Sequence, residues 1–323
     1  MSKRRINNQQ SARIEKKQNL YQEMTKDEIS GPTLEGLIIT CFGSKAIIET
    51  PTKERIRCYI RPNIDFLVAG DRVIWQPEGD GHGVIISQIP RKSALGRPNK
   101  HGQIKPVAAN LTQLIIVAAP KPEISWVLLD SYLVLAEYFN LKATIILNKT
   151  DLPCDDIKQR LTLEYTSLGY PILFINNTDK KNHKKLEDIV NLETSVFVGQ
   201  SGVGKSSLIS SILPLETNIQ TQDISTRTNL GKHTTSNSTF YHIPTGGAII
   251  DSPGVREFGL WHMPITEIAK CYRDFKPYLA QCKFRNCNHL NNLGCAIKSA
   301  INENLISHHR YENYVKISAQ FAT

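Results

Sequence analysis

The chain has 323 residues, of which 40% are hydrophobic and 21% are charged, and its formal net charge is +9. This length allows two or three folded domains, and no apolar run approaches the roughly 18 residues that a membrane-spanning helix needs. The polar N-terminal segment contains no hydrophobic signal core. We therefore expect a protein that has no membrane partner and works in the cytoplasm.

The excess of positive charge favours a polyanionic partner, most simply RNA, because a nucleotide pocket needs only local positive charge. An ordinary basic soluble protein would have the same net charge. The seven cysteines are odd in number, and three of them are clustered near the C-terminus. This usage fits metal binding in a reducing compartment better than a disulfide framework.

Residues 1–33 are polar and basic, and we interpret them as a flexible arm that contacts RNA or is simply solvated. Residues 34–90 contain five short β-like runs separated by turn residues, with no helical pattern between them. This pattern predicts a small β-barrel of the oligonucleotide-binding (OB) type. Residues 91–106, which combine basic residues with Gly and Pro, are predicted to form a basic linker.

One strand of the predicted barrel alternates basic and aromatic side chains, at Arg55, Arg57, Tyr59 and Arg61. Because alternate residues of a strand share a face, this face offers groups that contact a nucleic acid backbone and stack on bases. An exposed strand with ordinary surface charges would show the same alternation.

From residue 107 to residue 260, strands alternate with helices, which predicts a parallel α/β sheet. Ser195–Val198 is predicted to be a buried strand that leads into a glycine-rich turn and a helix. The turn has the spacing G-x-x-x-x-G-K-S, in which backbone N–H groups and the helix N-terminus surround phosphates. Lys205 is expected to reach the β- and γ-phosphates, and the Ser206 hydroxyl to bind Mg²⁺. The predicted phosphate-loop residues are Gly199, Gln200, Ser201, Gly202, Val203, Gly204, Lys205, Ser206 and Ser207.

An N-K-x-D motif follows the predicted strand Ala143–Leu147. The carboxylate of its aspartate would accept hydrogen bonds from guanine N1–H and the exocyclic amine, and it would reject adenine. The lysine stem is expected to cover the base, and the asparagine to tie this loop to the phosphate loop. An ordinary loop after a strand is the alternative. The predicted guanine-reading residues are Asn148, Lys149, Thr150 and Asp151.

A third motif, D-x-P-G, runs from Asp251 to Gly254 after another predicted strand. In such a motif the aspartate holds Mg²⁺ through water, and the glycine N–H faces the γ-phosphate. The polar residues 216–238 lie between the phosphate loop and this motif, and we predict that they form a switch. Thr234 or Thr235 is expected to give Mg²⁺ a second hydroxyl ligand.

Many GTPases orient the attacking water with a glutamine directly after the metal motif, but Val255 stands there in this chain. Intrinsic hydrolysis is therefore expected to be slow until a partner orders the site. Our hypothesis is that His233, in the predicted switch, positions the water, beside Lys205 and the two switch threonines. Packing or contact with RNA is the alternative role for this histidine.

The order of these motifs is unusual, because the guanine motif precedes the phosphate loop and the metal motif comes last. In an ordinary GTPase the phosphate loop is first. Loops at the carboxyl ends of a parallel sheet face the same crevice, so the site can be assembled in any chain order. The sequence therefore predicts a circularly permuted P-loop GTPase domain.

Residues 261–323 combine a helical pattern with the spacing C-x₄-C-x-H-x₅-C. Three thiolates and one imidazole form a closed tetrahedral set that suits a single structural Zn²⁺. Unlinked cysteines in a loop are the alternative. The predicted ligands are Cys282, Cys287, His289 and Cys295.

With these motifs in place, the chain resembles the bacterial ribosome small-subunit-dependent GTPase A family, RsgA, also called YjeQ. The resemblance extends over nearly everything after residue 34 and includes Val68–Asp71, Ala109–Asn110, Gly231–Thr235 and Arg256–Gly259. It implies an N-terminal OB barrel, a permuted GTPase domain and a C-terminal helical zinc domain. It also implies a monomer that binds the small ribosomal subunit and its 16S rRNA.

The resemblance further implies a late role in maturation of that subunit, with hydrolysis of GTP to GDP stimulated by the subunit. Nucleotide state would then control binding to the subunit and release from it. In many relatives the second guanine loop reads S-A-x-T-G, whereas Asn176–Asp179 stands here. Because backbone N–H groups do most of the work in that loop, Asn176 and Asn177 are expected to contribute to nucleotide binding.

Two other functions compete with this interpretation. A non-catalytic RNA-binding protein would use the nucleotide only as a structural ligand, and phosphate release stimulated by the small subunit would exclude it. An ATPase is disfavoured by Asp151, which faces the wrong hydrogen-bonding pattern on adenine.

Overall fold

Five short strands near the N-terminus close into a barrel. They are β1 (Leu34–Phe42), β2 (Lys45–Glu49), β3 (Arg55–Ile60), β4 (Arg72–Gly79) and β5 (His82–Gln88). The strands pair in the order β1-β2-β3-β5-β4-β1, and only the β3–β5 pair is parallel. Alternate apolar side chains such as Ile38, Ile48, Val73 and Ile85 fill the interior. The predicted OB-type barrel is confirmed.

The structure is a computed structural model, and it describes residues 32–79, 81–98, 104–176, 180–213, 238–251, 263–290 and 292–320. All but the last two residues of the predicted N-terminal arm lie outside these ranges, as do residues 214–237, which hold almost all of the predicted switch.

A two-stranded hairpin, β6 (Ala94–Pro98) and β7 (Ile104–Ala109), lies where the sequence predicted only a basic linker. The backbones of Gly96 and Pro106 stand opposite each other in this hairpin. Glycine and proline both weaken a strand pattern in the sequence, and proline is tolerated where its missing N–H is not needed for pairing. Because of these residues, the sequence pattern of this segment did not indicate two paired strands.

A mostly parallel sheet forms the central part of the chain. Its strands are β8 (Gln113–Ala118), β9 (Lys142–Leu147), β10 (Ile172–Phe174), β11 (Thr194–Val198), β12 (Thr239–His242) and β13 (Ala248–Asp251). They lie in the order β10-β9-β8-β11-β13-β12, and β12 alone runs antiparallel to its neighbour in this set. β12 also pairs with β1 at Thr239 and Thr40, so the sheet continues into the barrel.

Helices cover the sheet and continue into the C-terminal part. The helices of the central part are α1 (Trp126–Tyr138), α2 (Asp155–Leu161), α3 (Lys180–Val190) and α4 (Lys205–Ile212). A π-helical turn, Thr162–Thr166, extends α2. These helices and strands confirm the predicted α/β class. In the described parts of the chain, no helix is long and apolar enough to cross a membrane.

The C-terminal part is built from short helical pieces. They are α5 (Ile265–Ile268), the 3₁₀ turns Ala269–Cys271 and Leu279–Gln281, α6 (Ala296–Asn302) and α7 (His308–Ala319). After the predicted metal ligands, the helical pattern of this part forms two helices, α6 and α7, separated by a turn in which Asn304 has a positive φ of 59°. A positive φ cannot continue a right-handed helix, and asparagine tolerates it better than most residues.

Candidate nucleotide site and metal site

The predicted phosphate loop connects β11 to α4 and depends on glycine at two positions. Gly199 and Gly204 have positive φ values of 137° and 96°. A Cβ on Gly199 would lie 2.1 Å from the Val117 carbonyl oxygen, and one on Gly204 would lie 2.3 Å from Nδ2 of Asn148. Both the backbone conformation and the close neighbours therefore require glycine, which leaves the backbone of the loop free to curve tightly.

Lys205 begins α4 and bends back across the loop. Its Nζ donates to the carbonyl oxygens of Gly199 at 2.7 Å and Gln200 at 2.6 Å. Ser206 and Ser207 follow in the first turn of α4 and are exposed. The ammonium group and these two hydroxyls thus lie around the N-terminus of a helix, where positive partial charge favours an anion.

Asn148 and Lys149 of the predicted guanine reader bind directly to the phosphate loop. The buried Asn148 amide donates through Nδ2 to the Val203 carbonyl at 2.9 Å, and the Lys149 ammonium donates to the Gly202 carbonyl at 2.6 Å. Lys149 also donates to the carbonyl of Lys121, at 2.9 Å. The predicted connection between the two loops through the asparagine is therefore present. The lysine adds a second hydrogen-bonded connection that the sequence did not predict.

The remaining reader residues lie at the same edge of the sheet. The Thr150 backbone N–H donates to the Ile175 carbonyl at 3.1 Å, next to the second predicted guanine loop, and Asp151 is exposed. In that second loop, the Asn176 carbonyl accepts a hydrogen bond from the Asn182 amide at 3.0 Å. These residues follow the carboxyl ends of β9 and β10, which run parallel to β8.

Asp251 is exposed at the carboxyl end of β13, the neighbour of the strand that precedes the phosphate loop. The fold thus places the phosphate loop, the guanine reader and the first residue of the metal motif along one edge of the parallel strands. Five other predicted site residues lie outside the described residues, and their positions stay predictions: Asn177, His233, Thr234, Thr235 and Gly254.

Helix α1 and the loop before it also contact the phosphate loop, which no motif in the sequence indicates. The backbone N–H of Ser125, the N-cap of α1, donates to Oε1 of Gln200 in the phosphate loop at 3.0 Å. Tyr132 of the same helix lines a small pocket together with Gly199 and Gln200 of the phosphate loop. The loop after β8 lies at the carboxyl edge of the sheet, so the strand order alone would have indicated this position.

The four predicted zinc ligands converge in the C-terminal part. The ligand atoms of Cys282, Cys287, His289 and Cys295 all lie within 4.8 Å of one another. His289 Nδ1 is 3.5 Å from Cys282 Sγ and 3.6 Å from Cys295 Sγ. A tetrahedral zinc with ordinary Zn–S and Zn–N distances has sulfur–nitrogen edges of about 3.6 Å. This cluster can therefore hold a metal ion, and its donor set and spacing fit Zn²⁺.

The surroundings of His289 support the neutral imidazole that ligation requires. Burial lowers the pKa of His289. Two tyrosines of α7 hold the backbone of the ligand loop: Tyr311 donates to the His289 carbonyl at 2.9 Å, and Tyr314 donates to the Asn288 carbonyl at 2.7 Å. α7 thus stabilises the conformation of the ligand loop.

The basic and aromatic face predicted on the barrel is exposed at three of its four positions. Arg55 and Arg57 are exposed, Tyr59 is 47% exposed, and Arg61 is half-buried. The ammonium of Lys45, on the neighbouring strand, lies 5.1 Å from the centre of the Tyr59 ring. The face therefore presents an accessible aromatic ring among cationic groups.

Comparisons with known proteins agree with this architecture. Residues 88–261 match the family described as RsgA GTPase. A curated Haemophilus influenzae protein named "Small ribosomal subunit biogenesis GTPase RsgA" is 40% identical over 331 aligned positions, covering 98% of this chain and 95% of that protein.

Two solved structures share the fold over most of the chain. YjeQ from Thermotoga maritima has a TM-score of 0.73 and 30% identity, covering 90% of this chain and 98% of that one. YloQ, described as a circularly permuted GTPase, has a TM-score of 0.70 and 27% identity, covering 90% of this chain and 95% of that one. Because the family match covers more than half of the sequence and the relative extends over nearly all of it, this chain belongs to the RsgA GTPase family.

Proposed function

We propose that this chain hydrolyses GTP during late maturation of the small ribosomal subunit, and that it binds that subunit and its 16S rRNA. Family membership supports the activity and the process. The observation that carries the proposal within this chain is the Asn148–Val203 hydrogen bond. It joins the predicted guanine reader to the predicted phosphate loop, although the two motifs occur in the reverse of the ordinary order.

In this proposal the two loops bind opposite ends of the nucleotide. The Asp151 carboxylate reads the guanine edge, and the phosphate-loop backbone with Lys205 holds the phosphates. Lys149 and Asn148 fix the distance between these two regions, since both donate to phosphate-loop carbonyls. The backbone of Asn176 and Asn177 would close the guanine side of the site.

Ser206 and Asp251 would hold Mg²⁺ together with Thr234 or Thr235, and the exposure of the first two leaves them accessible. The metal would neutralise charge that develops on the β- and γ-phosphate oxygens. Lys205 would leave the Gly199 and Gln200 carbonyls and donate to phosphate oxygens instead. We keep His233 as the proposed water-positioning residue, because Val255 cannot orient water.

The barrel face around Tyr59 is the proposed rRNA contact. Its accessible ring can stack on an unpaired base, and Arg55, Arg57 and Lys45 can contact phosphates. The metal cluster of the C-terminal part would hold one structural Zn²⁺, since all four of its ligand positions are supplied by the protein. We expect the chain to act as a monomer in the cytoplasm, where ribosomal subunits mature.

The decisive experiment measures phosphate release from GTP by the full chain alone, with purified small subunits and with large subunits. We expect slow intrinsic turnover and strong stimulation by small subunits only. Stimulation by neither subunit, with GTP binding intact, would contradict the proposed function and leave a nucleotide-dependent RNA-binding protein. Equal stimulation by both subunits would also contradict it.

A further inference from the structure

Helix α1 lies between the phosphate loop and the C-terminal part, and it contacts each with a different face. An α-helix turns by about 100° per residue, so positions 130 and 132 point about 200° apart. Tyr132 lies beside the phosphate loop, whereas Asp130 bonds to α7. This one helix therefore connects two regions that the chain separates by more than a hundred residues.

The side of α1 towards the phosphate loop forms a hydrogen bond to that loop at Ser125 and buries a hydroxyl group at Tyr132. The Ser125 N–H donates to Gln200 Oε1 at 3.0 Å. The Tyr132 hydroxyl is buried, and among the described residues no group pairs with it at normal hydrogen-bond geometry. Burial raises the pKa of Tyr132 to about 12, with the backbone of Gly199 acting in the opposite direction. A buried hydroxyl is costly when unpaired, so a small movement of the loop that paired it would be favourable.

Nucleotide binding would cause such a movement. Lys205 donates to the carbonyls of Gly199 and Gln200. When Lys205 turns towards phosphate, both carbonyls lose this donor, and the loop next to Tyr132 changes its hydrogen bonding. The phenol lies in the same pocket as Gly199 and Gln200, so it is placed to respond to that change.

The opposite face of α1 is bound to the C-terminal part by a buried ion pair and hydrogen bonds. Asp130 is fully buried and accepts hydrogen bonds from Arg310 and from the Asn313 amide, the latter at 2.7 Å. Arg310 is also buried, and it forms a second ion pair with Asp274 at 3.0 Å. Buried ion pairs tolerate little displacement, since moving one partner leaves the other charge unpaired. α1 and α7 are therefore expected to move as one unit.

α7 continues the connection to the metal cluster. Arg310 and Asn313 face α1, while Tyr311 and Tyr314 of the same helix donate to carbonyls of the ligand loop. A continuous set of hydrogen bonds and packed side chains therefore leads from the ligand loop through α7 and α1 to the phosphate loop. Chains of packed side chains and hydrogen bonds of this kind carry energetic coupling between distant sites.

We propose that Tyr132 is a positioning residue for the phosphate loop, and that α1 and α7 couple this loop to the C-terminal metal-binding part through the Asp130–Arg310–Asn313 contacts. Any event that displaces α7 then changes how tightly the phosphate loop holds nucleotide. This inference deepens the proposed function and rests on it in one respect: subunit binding would be the natural event that displaces α7.

The test is a double-mutant cycle on the full zinc-loaded chain, with the affinity for a fluorescent GDP analogue as readout. Tyr132→Phe removes only the hydroxyl, and Asn313→Ala removes one hydrogen bond to Asp130. Lys316→Gln, on the exposed side of α7, is the matched control. Thermal unfolding and zinc content establish that each variant is folded, and Arg310→Lys replaces Asn313→Ala if that variant is not.

We expect Asn313→Ala to weaken GDP binding by about fivefold, which is the lower end of the usual coupling between two sites. In the Tyr132→Phe background the same change should have little further effect, and Lys316→Gln should bind as the wild type does. The proposal would be overturned if the losses of GDP affinity in the two single variants multiplied in the double variant. It would also be overturned if Asn313→Ala bound GDP as tightly as the wild type.

The turnover assay separates this inference from the proposed function. If small subunits stimulate the wild type, both Tyr132→Phe and Asn313→Ala should lower the stimulated kcat while KM for GTP changes less. If subunits do not stimulate the wild type, the proposed function fails, but the GDP-binding cycle still decides whether α1 couples the two regions.

Discussion

The Asn148 side chain donates to the backbone carbonyl of Val203 at 2.9 Å, and the two residues are 55 positions apart in the chain. Val203 is fully buried and Asn148 is 2% exposed, so water cannot replace this bond. Asn148 also lies against Gly204, where any Cβ would meet its Nδ2. The guanine reader and the phosphate loop are therefore assembled as one unit in spite of the permuted chain order.

Replacing Asn148 with Ala should weaken guanine nucleotide binding by about tenfold or more. The change leaves the buried Val203 carbonyl unpaired, which costs about 1–3 kcal/mol, and each 1.4 kcal/mol that falls on the bound state is a tenfold loss of affinity. Titration with a fluorescent GDP analogue measures the effect. Asn302→Ala, an exposed position on α6, is the control and should bind normally. Unchanged affinity in Asn148→Ala would show that this bond does not organise the site.

Exchanging Asp151 for Asn should change the base preference from guanine to xanthine. The carboxylate accepts from two donors on guanine, whereas an amide presents a donor that suits the additional oxygen of xanthine. Turnover and binding with GTP and XTP, compared between wild type and variant, measure the switch. Asp155→Asn, four residues further on in the exposed first turn of α2, is a control that should keep the preference for GTP. Equal loss with both nucleotides in Asp151→Asn would assign this aspartate a role in folding instead of base recognition.

The sequence predicted the parts that depend on local pattern. The phosphate-loop residues Gly199, Gly204 and Lys205 lie within seven positions of one another, and the four metal ligands lie within fourteen positions. The contacts of α1 with the phosphate loop could not be predicted in this way. Ser125 contributes a backbone N–H, and Tyr132 looks like any other apolar position on a buried helix. Their roles come from strand order and helix packing, which one sequence does not contain.

The metal cluster should bind one Zn²⁺ per chain, and the Cys287→Ser variant should contain much less than one Zn²⁺ per chain. A serine hydroxyl is a much poorer zinc ligand than a thiolate, so a three-ligand remnant would lose most of its affinity. Elemental analysis of purified protein gives the zinc content, and thermal unfolding gives the associated loss of stability. Cys41→Ser, in the barrel, is the matched control and should retain the full metal content. Full zinc content in Cys287→Ser would contradict the proposed ligand set.

The buried Asp130–Arg310 pair should contribute strongly to stability. Removing one partner of a buried pair typically costs about 3–5 kcal/mol, because the other charge stays buried without compensation. Asp130→Ala is therefore expected to lower the unfolding temperature clearly. Lys270→Ala breaks an exposed pair with Glu267 and should cost about 1 kcal/mol or less. Similar unfolding curves for the two variants would show that Asp274 alone is a sufficient partner for Arg310.

A buried carboxylate joins the barrel to the central sheet. Glu49, on β2, is 6% exposed and accepts hydrogen bonds from Lys53 at 2.9 Å and from His242, on β12, at 2.7 Å. Burial alone would raise the pKa of Glu49, but the hydrogen bonds and charges of Lys53 and His242 bring it below its ordinary value of 4.5. The ionised carboxylate is thus favoured in the folded state.

The lowered pKa gives this contact a defined pH dependence. A carboxyl group whose pKa is lowered by folding contributes its full stabilisation above its unfolded pKa, near 4.5, and loses it as the pH falls through the lower folded value. Glu49→Gln should therefore increase hydrogen exchange in β2 and β12 at neutral pH, and the difference from wild type should shrink in acid. Glu35→Gln, whose carboxylate pairs with Arg72 on the barrel surface, is the control and should change exchange little. A difference that persists unchanged below the folded pKa would mean that the glutamine disturbs packing, since loss of the ionised carboxylate could no longer explain it.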